Sequence, residues 1–512
     1  MKKILISFIA LISLAITSQA HTLKIGLASG ALTMDPHALN EVATISILSN
    51  IFDSLVSFDK DLKIYPNLAI SWSNPEPKVW IMKLRENIKF HNGSAFNADD
   101  VIFSFNRIKR WDKSGFKGKV HMIDSASKVD EYTVKFVTKK PYPIFLKKLT
   151  YVNIVDRETL EGRADEWIAI HPVGTGPYRF IDWSKGDHIS LKANPNYWHG
   201  EAHFDHLLLK PLTNSATRVA AILSGEVDII NRVPVTDVHR VKNSNTLNFF
   251  EQPGLRLIYL QMDQLRHISP YIESPTGKNP LKDLRVRRAI YYGIDEEAIA
   301  KYIMRGFAKP AAQLSPPAVF GSDPNMRRAK HNLAKAKKLL ADAGYPNGFS
   351  IRLDSPNNRY VKDSHIAEAV ASCLAKIGIK VTVNAMPKSR FFGEISRLET
   401  SFFLVGWASG DGDSSSILDS CVHSFDEIKG YGRYNYGRFS NPKVDALIEK
   451  SADIMHPEER LKYLQEAQKI ALLNNQSVIP LHFQVDLYAS NKKIHFEPRV
   501  DSHIWAFDIK KR

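Results

Sequence analysis

Two polar segments of this chain carry side chains suited to binding a charged small molecule. The first, Ser-Pro-Asn-Asn-Arg-Tyr at 355–360, follows an apolar strand predicted over 351–353. Its Arg359 has a planar, permanently charged guanidinium, which can hold a carboxylate through two parallel hydrogen bonds. Because most arginines are exposed to solvent, a solvated loop residue is an equally good interpretation of Arg359 from this segment alone.

The second segment is an apolar run that ends in an aromatic residue and a glycine-rich acidic loop. A strand predicted over 402–405 leads through Gly406 to Trp407, and Asp411 and Asp413 then alternate with glycine. We call residues 408–413 the acidic loop. An Asp-x-Asp spacing also occurs in calcium loops, but the later ligands and the glutamate of such loops are missing, so we exclude calcium. We expect Trp407 to form a wall of a binding pocket.

The sequence offers little for catalysis or for metal binding. It contains no Gly-x-Ser-x-Gly, no His-Glu-x-x-His and no phosphate-binding P-loop. His203 and His206 lie three residues apart, but no cysteine or carboxylate accompanies them at a known ligand spacing, which favours surface or core roles. We therefore predict a protein that is not an enzyme and that needs no metal or cofactor. A hydrolase using the acidic loop is the alternative, since catalytic groups can meet only in space.

The elements that position these segments predict an α/β protein of two or three domains, as 512 residues are too many for one core. Strand-like alternation dominates from about 59 to 155, whereas helices alternate with strands beyond a break near 252–254. Gly344 and Gly378 end predicted helices in this second half. Both polar segments lie in the second half of the chain.

The clearest local pattern begins at Trp80. Trp80, Met82 and Leu84 recur at the period of two that is typical of a half-buried strand. The sequence His-Asn-Gly at 91–93 predicts a turn. Asn97 stands at the N-cap of a predicted helix that has two aspartates in its first turn.

This segment also resembles a known signature, that of the family 5 extracellular solute-binding proteins, the oligopeptide- and dipeptide-binding group of ABC importers. Its letters at 80–110 are WIMKLRENIKFHNGSAFNADDVIFSFNRIKR. Further matching pieces follow the same order along the chain, at 66–69, 174–178, 194–198, 225–228, 284–290, 343–349, 406–407 and 479–482. The resemblance covers essentially all of the chain beyond residue 20.

The resemblance implies an α/β, two-lobed periplasmic-binding-protein fold of class II with an additional domain inserted in lobe I. Lobe I is expected over 21–252, with the inserted domain at about 60–170, and lobe II over 253–489. Residues 490–512 are expected to return to lobe I. The lobes of such a protein close on a ligand like a hinge. We expect the chain to cross between lobes at about 252–256 and 484–490.

The same resemblance implies the function and its partners. The chain is expected to capture peptides or peptide-like solutes and to deliver them to a membrane permease and its ATPase subunits. Relatives also bind haem, nickel chelates, glutathione or oligosaccharides. Haem or another anionic or chelate ligand is therefore the alternative.

Ligand-binding roles come from the resemblance as well. Arg359, with Asn358 beside it, resembles the arginine that takes the ligand carboxylate in dipeptide-binding relatives, and Gly406-Trp407 matches a second family piece. An aspartate three residues after this tryptophan holds the ligand ammonium in relatives, but Gly410 stands there in this chain. Either the loop glycines allow Asp411 or Asp413 to replace that aspartate, or the ligand is not a free-amine peptide.

The first twenty residues predict a secretory signal peptide that ends at Ala20. Lys2 and Lys3 precede an apolar run from 4 to 16, and the segment 17–20 that follows has small residues at both cleavage-site positions. The run is too short for a transmembrane helix, and no cysteine follows Ala20 to carry a lipid. We expect the mature chain to begin at His21 and to reside in the periplasm of a Gram-negative cell.

The net charge limits the classes of binding partner, and the two cysteines raise the question of a disulfide. The formal charge is +15, or +13 without the two lysines of the signal peptide, but the basic residues are scattered. A solvated basic surface is favoured over an anionic surface partner, and nucleic acid does not suit an exported protein. Cys373 shares a predicted helical face with apolar residues and is expected in the core, without a disulfide to Cys421. We expect a monomer.

Overall fold

A computed structural model describes residues 21–512 of the protein. The predicted signal peptide, residues 1–20, lies outside the described residues. Within 21–512, no helix is both long enough and apolar enough to cross a membrane.

The strands extend over short stretches, apart from two long ones, β12 and β18. They are β1 (Thr22–Leu27), β2 (Val56–Phe58), β3 (Ile64–Pro66), β4 (Ala69–Glu76), β5 (Val79–Leu84), β6 (Ile123–Asp130), β7 (Thr133–Thr138), β8 (Tyr178–Ser184), β9 (His188–Ala193), β10 (His206–Pro211), β11 (Ile229–Asn231), β12 (Leu247–Met262), β13 (Ile272–Glu273), β14 (Ala308–Pro310), β15 (Ser350–Pro356), β16 (Lys380–Met386), β17 (Phe402–Ala408), β18 (Ile479–Asn491), β19 (Ile494–His495) and β20 (Lys510–Lys511).

The longest helices, α2, α12 and α16, have 13 residues each. The α-helices are α1 (Val42–Leu48), α2 (Ala98–Arg110), α3 (Lys117–Val120), α4 (Phe145–Leu149), α5 (Arg157–Leu160), α6 (Asp165–Ile168), α7 (Ser215–Ser224), α8 (Val238–Lys242), α9 (Leu284–Gly293), α10 (Glu296–Ala298), α11 (Leu333–Asp342), α12 (Asp363–Ala375), α13 (Lys388–Ser396), α14 (Ser415–Ile417), α15 (Pro442–Asp453) and α16 (Pro457–Lys469). Single 3₁₀ turns lie at Pro280–Lys282 and Ala506–Asp508, and π-helical turns at Ile299–Ile303, Leu418–Val422 and Ile470–Asn474.

One twelve-stranded sheet runs through both lobes of the described chain. Its order is β13-β15-β17-β12-β18-β11-β1-β10-β9-β8, with β14 on β18 and β16 on β15. One end of the β12–β18 pair joins β11 and so belongs to lobe I, and the other end joins β17 in lobe II. The register of β12 against β18 shifts between Pro253 and Leu257. The predicted α/β, two-lobed architecture is confirmed.

The inserted domain has a sheet of its own, in the order β4-β5-β7-β6. Trp80, Met82 and Leu84 of β5 are buried, as their alternation predicts. α2 packs on this sheet, and Asn97 caps it by accepting the amide N–H of Asp99, while Asp100 accepts the N–H of Asn97. The local prediction for this segment is therefore confirmed. α4 contributes Phe145 and Leu149 to the same core.

Lobe II is packed on both faces of its part of the sheet. Helices α9, α11 and α12 cover one face, whereas α13, α15 and α16 cover the other. Gly344 and Gly378, with φ of +90° and +91°, lie just beyond α11 and α12, as predicted.

The predicted core position of Cys373 is wrong. Ile366, Val370 and Leu374 of α12 are buried, but Cys373 is only half-buried. At about 100° per residue, Cys373 lies about 20° from Ile366 on the side away from Leu374, so it stands at the edge of the buried stripe and is only partly covered. Cys373 and the buried Cys421 are both free thiols.

Candidate functional site

A cavity of about 1100 Å³ lies between the lobes, where β12 and β18 pass from one to the other. Ligand sites usually measure about 300–1,000 Å³, so this cavity can enclose a molecule larger than a single amino acid. Its walls come from lobe I, from the inserted domain, from the two crossing strands and from lobe II. Aromatic side chains are common in the walls, among them Tyr65, Tyr142, Tyr151, Tyr360, Trp407 and Tyr434.

Three arginines meet at one end of the cavity, and we call Arg232, Arg256 and Arg359 the arginine cluster. The guanidinium carbons of Arg256 and Arg359 lie 5.7 and 5.5 Å from the ring centroid of Tyr360. Burial, reinforced by Arg359 and then by Arg232, lowers the pKa of Arg256 to about 10. These like charges repel each other, so an anion bound beside them would be favoured.

Within residues 21–512, no carboxylate lies within 4.0 Å of a guanidinium nitrogen of these three arginines. Asp486 on β18 is the acidic residue that influences Arg256 from a longer distance. Burial raises the pKa of Asp486, and its carboxylate accepts a hydrogen bond from Ser502 at 2.5 Å. The cluster therefore presents positive charge to the cavity that the protein itself does not neutralise by an ion pair.

The loop that carries Arg359 is held by the start of α12. The carboxylate of Asp363 accepts the backbone N–H groups of Arg359 and Tyr360 at 2.9 and 3.0 Å. Tyr360 then packs against β17, where its hydroxyl donates to the carbonyl of Gly406. A Cβ at Gly406 would lie 2.9 Å from the Tyr360 ring, so glycine is required there for the ring to pack. Gly406 thus allows the ring to pack on β17 near both Arg256 and Arg359.

The acidic loop binds lysines of the inserted domain. Asp411 lines the cavity, but its carboxylate accepts a hydrogen bond from Lys148 at 2.5 Å. Asp413 accepts two hydrogen bonds from Arg460, both 2.8 Å long, and another from Lys147 at 3.0 Å. Burial alone would raise the pKa of both aspartates, but these cations outweigh burial and lower it.

Four of the six residues predicted to bind ligand lie together on the cavity wall, namely Arg359, Gly406, Trp407 and Asp411. Asp413 and Asn358 are not part of the wall. Asp413 is fully enclosed by its ion pairs, and Asn358 is exposed and accepts the first backbone N–H of α13, that of Lys388. The indole N–H of Trp407 faces the Ser416 hydroxyl at 3.4 Å.

Several charged residues of the wall were not predicted. Arg232, Arg256 and Lys119 come from parts of the chain without a recognisable pattern. Arg256 lies within the predicted crossing at 252–256. This location beside the cleft was the one feature of the sequence that could have indicated Arg256 as a wall residue. Asp419 also lines the cavity, and burial raises its pKa to about 7. Burial, together with Lys148, lowers the pKa of Lys119 to about 7.

A two-lobed α/β protein with a ligand-sized cavity at the strands that join its lobes has the architecture of a solute-binding protein. The comparison with protein families agrees. Residues 63–428 match the model of the bacterial extracellular solute-binding proteins, family 5, described as its middle region. The match covers more than half of the chain, and the protein belongs to this family.

Individual relatives are similar over most of their length. Heme-binding protein A of Haemophilus influenzae is 29% identical over 461 residues, which cover 83% of this chain and 80% of the relative. Glutathione-binding protein GsiB of Pectobacterium atrosepticum is 27% identical over 460 residues, covering 87% and 85%. Among solved structures, the periplasmic binding protein DppA from Helicobacter pylori in complex with the peptide STSA superimposes with a TM-score of 0.79. It is 25% identical, and the alignment covers 96% of this chain and 98% of that one.

Proposed function

We propose that this protein is the periplasmic solute-binding component of an ABC importer and that its solute is a peptide or peptide-like carboxylate. The observation that carries this proposal is the arginine cluster, which faces the interlobe cavity without an ion-paired carboxylate. A guanidinium binds a carboxylate through two charge-assisted hydrogen bonds, which are stronger than neutral ones. The ligand carboxylate is the missing partner of Arg256 and Arg359.

The relatives support this class of ligand. Glutathione and the peptide STSA, which are named for two of the related proteins, both carry carboxylates. The aromatic wall of the cavity can pack against side chains of different shape, because aromatic rings bury large areas with few specific polar demands. We propose that the carboxylate is fixed by the arginines and that the rest of the ligand is held mainly by these rings.

We further propose lobe boundaries and a closing motion. Lobe I comprises 21–252 and lobe II comprises 253–489, with 490–512 returning to lobe I. The register shift between Pro253 and Leu257 supports a hinge at the crossing. Ligand binding favours the closed form because only that form brings both walls into contact with the ligand. The closed monomer then docks to a permease, whose ATPase subunits drive import.

Haem is the second candidate ligand. Its propionates would bind the same arginines, and the aromatic wall would suit a flat apolar ring. The relative named as a heme-binding protein supports this candidate.

The decisive experiment identifies what the protein carries when it is isolated from the periplasm. Native and denaturing mass spectrometry should reveal a bound carboxylate, and calorimetry on refolded, ligand-free protein should then show saturable binding of that compound. A haem absorbance band would favour the second candidate. A ligand without any anionic group would contradict the role of the arginine cluster. Cleavage of the bound peptide during incubation would indicate a hydrolase instead of a transport protein.

A further inference from the structure

Helix α4 of the inserted domain reaches across the cleft to the acidic loop of lobe II. Lys147 donates to the Gly412 carbonyl at 2.8 Å and to the Asp413 carboxylate at 3.0 Å. Lys148 donates to the Asp411 carboxylate at 2.5 Å. Two neighbouring lysines of one lobe therefore bind two aspartates of the other, and we call these four residues the interlobe clasp.

The clasp is shielded from water. The side chains of Asp411 and Asp413 are 3% and 1% exposed, and those of Lys148 and Lys147 are 12% and 20% exposed. Exposed ion pairs contribute little because water and salt screen them, whereas breaking one partner of a buried pair leaves an uncompensated charge. Another ion pair across the cleft, Lys140 with Asp453 at 3.1 Å, is about half-exposed and should contribute much less.

The lobe II side of the clasp is rigid. Phe320 donates its backbone N–H to the Gly412 carbonyl and accepts the N–H of Ser414, so the C-terminal end of the loop around Asp413 is fixed. Arg460, on α16, holds Asp413 from within the same lobe. The loop therefore presents its carboxylates to α4 in a fixed direction and does not need to rearrange when the lobes meet.

In relatives an ammonium-binding aspartate stands at the position of Gly410, and here Tyr151 fills the space next to that position. A Cβ at Gly410 would lie 2.6 Å from the hydroxyl oxygen of Tyr151, again from the inserted domain. A side chain at residue 410 would collide with Tyr151 in the closed form. Tyr151 therefore fills the space that a ligand ammonium group would need, and Lys148 already binds the carboxylate of Asp411.

We infer that the interlobe clasp replaces the ligand ammonium as the partner of the acidic loop, so that the protein holds itself closed without ligand and accepts ligands whether or not they carry a free amine. The inference rests on the proposed function for the class of ligand, but not for the closure of the lobes. The lysine ammonium groups supply the positive charge that closes the cleft. The ligand has to supply only the anion that the arginine cluster lacks.

Small-angle scattering on refolded, ligand-free protein tests the closure. The Lys147→Met/Lys148→Met variant keeps a long, unbranched side chain at both positions but removes the charge, and it should show a larger radius of gyration than the wild type. Lys139→Met, at an exposed lysine of the same domain, is the matched control and should leave the radius unchanged. Asp411→Asn, the reciprocal change, should also increase it. An equal radius in the wild type and the double variant would overturn the clasp.

Selectivity is tested with alanyl-phenylalanine and its N-acetyl form in calorimetric titrations. The wild type should bind the two forms with affinities within about threefold of each other. In Lys148→Met, Asp411 becomes available to the ligand, and the free-amine form should bind about 30-fold more tightly than the acetylated form, the lower end expected for a buried charge pair. A wild-type preference for the free amine of more than tenfold would overturn the inference. If neither form binds to any variant, the proposed peptide class fails, while the scattering result alone decides the clasp.

Discussion

Replacing Arg359 with alanine should weaken ligand binding without weakening the fold. The side chain makes no ion pair with the described part of the chain, and its loop is held by backbone N–H groups that alanine retains. Losing a charge-assisted contact in a closed cleft typically costs about 2–5 kcal/mol. The dissociation constant should therefore rise by roughly 30-fold to several thousand-fold.

The same Arg359→Ala change should not reduce the thermal stability of the ligand-free protein, although it weakens ligand binding. Arg359 is the charged neighbour that contributes most to lowering the pKa of Arg256, so the two guanidinium groups repel each other when no anion is present. Removing one should leave the melting temperature unchanged or raise it. A residue that served only the fold would instead lower the melting temperature together with the affinity.

Calorimetric titration with the co-purified ligand and scanning calorimetry of the ligand-free protein measure the two effects. Arg359→Lys should also bind more weakly, because an ammonium group cannot reproduce the planar pair of hydrogen bonds. Arg240→Ala, at an exposed arginine of α8, is the matched control and should bind like the wild type. Wild-type affinity in Arg359→Ala would refute the assignment of this end of the cavity.

Four further outcomes are expected. Gly406→Ala should place a methyl group against the Tyr360 ring and lower the free energy of unfolding by about 1–3 kcal/mol, measured by chemical denaturation, and it should weaken ligand binding as well. The pKa of Asp419 is about 7 in the folded protein and about 3.9 when unfolded, so the folded state binds more protons between these values and its stability should fall as pH rises from 4 to 7. Asp419→Asn should remove this decline, and an unchanged pH profile would show that Asp419 is not the cause. Mass spectrometry of the exported protein should give an N-terminus at His21; full-length or lipid-modified protein would contradict the predicted signal peptide. Saturating ligand should reduce the radius of gyration of the clasp-deficient Lys147→Met/Lys148→Met protein without changing its oligomeric state, and an unchanged radius would contradict the hinge.

The parts of the fold that could be predicted are those fixed by nearby residues. The strand at Trp80 and the cap at Asn97 depend on neighbours within a few positions, and the structure confirms both. The prediction for Cys373 failed because this residue lies at the edge of the buried stripe of α12, where the helical pattern alone does not decide whether a side chain is covered. Local patterns therefore give the elements but not always which side chains they bury.

The candidate site was only partly predictable because its charges meet over long distances in the sequence. Lys148 and Asp411 are 263 residues apart, and nothing in the neighbourhood of either residue indicates the other. The sequence leaves open whether Asp411 or Asp413 receives a ligand ammonium group or whether the ligand has none, and the structure places Asp411 against the protein's own lysine. Arg256 belongs to no recognisable motif. Its location on β12, at the predicted crossing between the lobes, is the only sequence feature that could place it near Arg359.

The distribution of satisfied and unsatisfied charges indicates what the ligand must supply. At the acidic loop, Asp411 and Asp413 already have lysine and arginine partners, so a cationic group arriving there would have to displace a buried ion pair. At the arginine cluster the positive charges face the cavity and repel each other, so an anion arriving there would remove repulsion and gain hydrogen bonds at once. Because only the second end gains on both counts, the anion of the ligand should determine affinity, whereas the lysines of α4 should determine how readily the lobes close around it.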